Sequence, residues 1–134
     1  MDDALSALVR RALAMIASEQ PHGYRELAQT LSNLRVTLSC KGERCLYAES
    51  GRVRIAPATE GGVLVQMDVG TLLDLLDARC SLVQAVRTNR LFVQGPATQI
   101  ARTYAAMTWF VGSLLQVRDA SALKTALEKI NDRP

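Results

Sequence analysis

The amino-acid sequence predicts an α+β fold in which a five-stranded, mostly antiparallel sheet carries its helices on one face. Apolar residues recur at helical spacing up to about residue 33, at every second position in the stretches from Leu34 to Met67, and at helical spacing again from Asp68. One late run, Arg90-Leu91-Phe92-Val93-Gln94, reads as a further strand set between helices. The early strands are joined by short turns, so they are expected to be largely antiparallel. The predicted order is ααββββααβαα, with the strands' polar positions facing solvent on the sheet's other side.

Leu5, Leu8, Val9, Ala12, Met15 and Ile16 define a first helix over about residues 3 to 18, behind Asp2 and Asp3, whose charges suit a helix N-terminus. Pro21-His22-Gly23 breaks the pattern, and Tyr24, Leu27, Ala28 and Leu31 form a short second helix that leads to Asn33. Leu34, Val36, Leu38 and Cys40 then alternate with Arg35, Thr37 and Ser39 as a strand with one face buried. Lys41-Gly42-Glu43-Arg44 supplies a hairpin loop. Strands follow at Cys45 to Glu49, Arg52 to Ala56 and Val63 to Met67, separated by Ser50-Gly51 and Glu60-Gly61-Gly62.

After Asp68, Thr71 and Asp74 have capping-box spacing ahead of Leu72, Leu73, Leu75 and Leu76. Ser81 caps a short helix through Leu82, Val83, Ala85 and Val86, and Asn89 suits the left-handed residue that ends it. Gly95-Pro96 closes the fifth strand. A long helix then carries Ile100, Tyr104, Met107, Val111, Leu114 and Leu115 on one face, with Trp109 and Phe110 widening it, and Asp119 caps a last helix bearing Leu123, Leu127 and Ile130.

The 134 residues (14.6 kDa) read as a single domain, residues 1 to 134, and at 49% apolar and 22% charged the chain can bury a core, which excludes disorder as the main reading. A formal charge of +3 is too weak to imply nucleic acid, and aromatics at 4% supply no base-stacking platform. Three cysteines without a C-x-x-C pair, and a single histidine, offer no zinc framework, and the odd count favours reduced thiols. The acids of the first residues precede the arginines, the reverse of a secretory signal, and the ending Asn131-Asp132-Arg133-Pro134 is not a peroxisomal address. Apolar runs are too short for a membrane span. The expectation is a cytoplasmic protein that meets membranes at most peripherally.

No catalytic constellation emerges, so no catalytic residue, metal or cofactor is expected. His22 sits in the Pro-His-Gly break with no nucleophile nearby in sequence. Cys40 and Cys45 flank a short loop where a disulfide is geometrically allowed, with buried free thiols as the alternative. Cys80 follows Arg79; Asp68, Asp74 and Asp77 lack a metal-binding loop pattern, and Gly61-Gly62 is a turn between strands, not a phosphate cradle. Arg52 and Arg54 read as the solvated face of a strand, with contact to an anionic lipid or a partner as the alternative.

The second half carries more apolar surface than a small sheet needs on one face. Val63-Leu64-Val65-Gln66-Met67-Asp68, Thr71-Leu72-Leu73-Asp74-Leu75-Leu76, Ser81-Leu82-Val83-Gln84-Ala85-Val86 and Arg90-Leu91-Phe92-Val93-Gln94-Gly95 follow one another as strand, leucine-rich helix, short helix and glycine-closed strand. In that order and spacing, the segment from Val63 to Tyr104 resembles the sterol carrier protein type two family of lipid-binding domains. The chain departs from the family at two places where glycine is usual, with Ala78-Arg79 after the leucine helix and Asn89 before the closing strand. The resemblance implies a bacterial-type cytosolic relative with an apolar tunnel between sheet and helices, and binding of sterols, fatty acids, fatty acyl-CoA or isoprenoid lipids.

On that reading the chain is a non-enzymatic carrier of a hydrophobic ligand. Its candidate wall residues are Val65, Met67, Leu72, Leu75, Leu76, Val83, Val86, Met107, Phe110, Val111 and Leu114, with Trp109 at the rim. Two rival readings stand beside it. One is an accessory subunit that docks on a partner enzyme of lipid, quinone or natural-product synthesis, or on a second copy of itself. The other is an enzyme working in the same cavity through Asp68, Tyr104 or Cys80.

Overall fold

Ala4–Glu19 (α1) begins where the Asp3 side chain accepts the Ser6 amide at 2.7 Å, and Pro21–Thr30 (α2) begins at Pro21 itself. The proline read as a break is therefore a helix start, because its missing N–H is one that no helix would use. The computed structural model describes residues 3–132, so Asp2 and the Arg133-Pro134 ending lie outside the described residues. Strands β1 (Arg35–Ser39), β2 (Glu43–Glu49), β3 (Arg52–Ala56) and β4 (Val63–Met67) follow, then α3 (Val69–Leu76), α4 (Leu82–Arg87), β5 (Leu91–Gln94), α5 (Ala97–Leu114) and α6 (Ala120–Asn131). The class is α+β and the element order is the expected one.

The sheet runs β3-β2-β1-β4-β5. β1–β2, β2–β3 and β4–β5 are antiparallel, but β4 pairs with β1 in parallel, Val36 opposite Val63 and Leu38 opposite Val65. The sheet is mostly antiparallel, as expected, with this one parallel pairing among its first four strands. Residues 57–62 are no hairpin turn; they carry the chain from the β3 edge to the far side of β1. The gain is a central strand whose Val63 and Val65 are each 1% exposed.

Register sorts the sheet's two faces. Val36, Leu46, Ile55, Val63, Val65 and Leu91 look toward the helices, while Arg35, Arg54, Gln66 and Phe92 look away. On the outer face the Arg35 guanidinium lies 4.8 Å from the Tyr47 ring centroid. Cys45 pairs across the sheet with Thr37 and Ala56, not with Cys40, and all three cysteines are free thiols. Burial pushes the Cys40 thiol up to about 11.

Local chemistry moves several boundaries. β2 starts at Glu43, paired with Ser39, so the hairpin turn is only Cys40-Lys41-Gly42, with Lys41 and Gly42 at φ 47° and 102°. Arg44, read as a loop residue, becomes a strand residue that is 1% exposed. Asp68, not Thr71, caps α3, accepting the Thr71 amide at 2.7 Å. Ser81 and Gln84 form a full capping box on α4, and Asn89 ends that helix at φ 61°. Asp119 precedes α6 without a side-chain cap. Gly23 sets how closely α2 meets α5, since a Cβ there would lie 2.1 Å from Ser113 Oγ.

Candidate functional site

Between the sheet's helix-facing side and the helices lies a cavity of about 120 Å³. Nine of the candidate wall residues line it: Val65 and Met67 from β4, Leu72, Leu75 and Leu76 from α3, and Met107, Phe110, Val111 and Leu114 from α5. They meet there because α5 repeats its apolar residues at three and four positions and α3 turns its leucines toward the strand it follows.

Val83, Val86 and Trp109 are not in the lining. Val83 is 64% exposed. On α4 the inward positions are Leu82, which lines the cavity, and Ala85, which is fully buried, and one residue after Leu82 the helix has turned by about 100°. Val86 packs beside the core without reaching the cavity. Trp109 belongs to the side of α5 that faces α2, where its ring meets His22 edge-on at 5.6 Å.

Sequence reasoning missed most of the wall. α1 contributes Leu5, Leu8, Val9, Ala12 and Leu13, and the sheet adds Val36, Leu38, Leu46 and Val53. These were legible as apolar faces, but periodicity marks a face as buried without telling a filled core from a hollow one. Thr103 is the one hydroxyl-bearing side chain in the lining, and it donates to the Gln99 carbonyl at 2.8 Å. Among the described residues, no ionisable side chain lines the cavity. Asp68, Tyr104 and Cys80, the residues weighed for acid–base work, are absent from its wall. Such a space can hold hydrocarbon by exclusion from water.

The turn after α3 is fixed by charge outside the cavity. Ala78 takes the left-handed conformation at φ 58°, where glycine would be easier, and the Arg79 amide donates to the Asp74 carbonyl at 2.9 Å. Arg90 reaches Asp74 at 2.7 Å, and Lys124 of α6 pairs with Asp77, whose carboxyl is held below the usual range by that hydrogen bond. Asp68 is likewise held low, chiefly by the Thr71 amide.

No family model and no curated protein matches the chain. Solved structures do. A protein described as UbiJ-SCP2 ubiquinone synthesis protein superposes with a TM-score of 0.58 at 18% identity, over 81% of this chain and 91% of that chain. A crystal structure of sterol carrier protein 2 gives 0.57 at 13% identity, over 83% and 95%. The chain has the sterol carrier protein fold. Sterol carrier protein 2 from Yarrowia lipolytica, in its apo form, aligns with a TM-score of 0.51 at 12% identity over 78% of this chain and 88% of that chain. Identities this low make the likeness one of backbone, so in this sterol carrier fold the cavity wall must be read from the chain's own residues.

Proposed function

We propose that the protein is a non-enzymatic binder or carrier of a hydrophobic ligand, a sterol, fatty acid, acyl-CoA or isoprenoid lipid, with residues 1–134 acting as one lipid-binding domain. The observation that supports this most is a cavity whose lining is hydrocarbon apart from Thr103 and the Met thioethers, inside a fold shared with sterol carrier proteins. Each methylene moved from water into it contributes about 0.8 kcal/mol. At about 120 Å³ the space is smaller than the roughly 300 Å³ at which ligand pockets usually begin. Binding a lipid therefore requires widening, and the half-buried Leu72, Leu82, Met107, Phe110 and Val111 are the wall residues placed to yield.

Mass spectrometry of the gently purified protein, native and then after organic extraction, tests this. A stoichiometric apolar molecule is the expected result. A clean apo mass, together with no displacement of a fluorescent fatty-acid probe, would leave the cavity as a packing defect and sink the reading. The neighbour named as a ubiquinone synthesis protein, with Phe92 and Leu115 at 55% and 44% exposure, favours a second reading as an accessory subunit of a biosynthetic enzyme. Light scattering of the purified chain with and without such an enzyme separates the two.

A further inference from the structure

The sheet ends in β3 on one side and β5 on the other, and only the β3 edge is closed. An edge strand presents unpaired N–H and C=O groups that another strand can take up. At β3 the Val53 amide donates to the Tyr24 hydroxyl at 2.9 Å and Arg10 Nη2 donates to the Ile55 carbonyl at 3.2 Å, so side chains of α1 and α2 occupy that edge. At β5, among the described residues, the backbone of Leu91–Gln94 makes no hydrogen bond outside its ladder with β4.

The devices that usually guard an edge are missing from β5. Leu91-Phe92-Val93-Gln94 holds no charge and no proline, and the neighbouring Arg90 is drawn onto Asp74 at 2.7 Å. Phe92, on the sheet's outer face, is 55% exposed, and Val93, on the helix-facing side, is half-buried. Apolar side chains therefore reach this edge from both faces of the sheet.

We propose that the β5 edge is a homodimer interface, at which a second copy of this chain pairs its own β5 antiparallel across a two-fold axis at Phe92. The segment is complementary to itself, which is what selects a copy over a foreign strand. Opposed residues of an antiparallel pair share a face, so only registers that keep Leu91 and Val93 on the helix-facing side are allowed. The register centred on Phe92 sets Phe92 against the partner's Phe92, Leu91 against the partner's Val93 and Arg90 against the partner's Gln94. Apolar meets apolar at the middle, and no like charges oppose. Centring on Val93 would instead set Phe92 against Gln94. The two-fold closes on itself, so assembly stops at two copies, and the two five-stranded sheets become one with both helix layers and both cavities on the same side. A strand pair of four residues a side buries less than the roughly 1,200 Å² at which standard interfaces begin, so the dimer is weak and concentration-dependent. It does not depend on what the cavity holds.

Sedimentation velocity over about a hundredfold range of concentration tests it. The wild-type chain is expected to shift from monomer to dimer and no further. Phe92→Lys sets two cations against each other at an exposed position, and it should raise the dimer dissociation constant at least about tenfold without moving the unfolding midpoint. Leu115→Lys, at the far end of α5, should leave the dimer unchanged. Cross-linking reads the register. In a Cys80→Ser background, Phe92→Cys should give a disulfide-linked dimer under copper-catalysed air oxidation, because directly opposed Cβ atoms lie about 4.5–5.5 Å apart. Gln94→Cys should not, since its two copies stand four residues apart along the paired strands, roughly 13 Å. A chain that stays monomeric at the highest concentration would overturn the proposal. So would a dimer that Phe92→Lys leaves intact, growth beyond two copies, or a Gln94→Cys link as efficient as the Phe92→Cys one.

Discussion

The turn between β1 and β2 and the half-buried part of the cavity wall on α3, α4 and α5, called the opening below because it is the part proposed to yield, are held by different chemistry. At the turn, the buried Arg44 donates from Nε to Ser6 Oγ at 2.9 Å, from Nη1 to the Cys40 carbonyl at 2.9 Å, and from Nη2 to the Lys41 carbonyl at 3.3 Å and Asp3 Oδ2 at 3.4 Å. Lys41 Nζ donates to the Ile130 carbonyl at the end of α6. One arginine and one lysine thus tie the hairpin to the start of α1 and the end of α6. At the opening, Leu72, Leu82, Met107, Phe110 and Val111 are half-buried apolar side chains. Directional bonds specify a single arrangement, whereas hydrocarbon contacts let side chains slide at small cost.

The largest effect is therefore expected at the closed turn. Arg44→Met should lower stability by about 3 kcal/mol, since it strips partners from buried carbonyls and from Ser6 while filling nearly the same volume. Guanidinium denaturation would show this as a lower midpoint. If the unfolding free energy stays within about 0.5 kcal/mol of the wild type, the arginine network is not what fastens α1 to the sheet.

Arg44 also marks the limit of what the sequence discloses. Its neighbours Lys41, Gly42 and Glu43 are turn-forming, so Arg44 read as part of the loop, and nothing local signals that a charged residue will be drawn inside to serve α1. Fold class, element order, the Ser81 cap of α4 and the left-handed Asn89 were all legible, because each depends on a few adjacent residues, whereas the Gln84 half of the α4 capping box was not read and the box expected at Thr71 and Asp74 is instead a cap by Asp68. The parallel β1–β4 pairing was not legible, because it depends on which edge of β1 is vacant, a property of the assembled sheet. The wall showed the same division. Residues on α3, α5 and β4 were found from apolar density, while the α1 contribution passed for ordinary core.

A smaller effect belongs to the cap beneath the opening. Asp68→Ala should cost about 1 kcal/mol near neutral pH, because it removes the acceptor of the Thr71 amide at the start of the helix that carries Leu72, Leu75 and Leu76. The folded carboxyl has a lowered pKa, so its contribution is complete above the ordinary carboxylate range and is lost as the pH falls through the folded value. The gap between wild type and variant should accordingly narrow below about pH 4. A constant gap across the titration would show that the charge on Asp68 is irrelevant to the cap.

Filling the cavity should change stability less and function more. Ala106 of α5 lines the cavity at 5% exposure, and Ala106→Leu places hydrocarbon where the structure has none. The expected gain is about 0.5 kcal/mol, together with loss of bound lipid in native mass spectra. A variant that is more stable and still carries lipid would show that ligand sits elsewhere, and it would remove the contrast between a rigid turn and a yielding opening.

The smallest effect tests the opening from its outside. Val83 lies on the same short helix as Leu82, yet one position along a helix is enough to move a side chain from the cavity to solvent. Val83→Ser should shift stability by less than about 0.5 kcal/mol and leave lipid occupancy unchanged, because the side chain is already 64% exposed and its loss empties no space. Leu82→Ser, one residue earlier, should reduce occupancy by making part of the lining polar. If Val83→Ser lowers occupancy as much as Leu82→Ser does, α4 must turn its outer face inward when lipid is present, and the opening would then involve rotation of a helix in addition to the yielding of side chains.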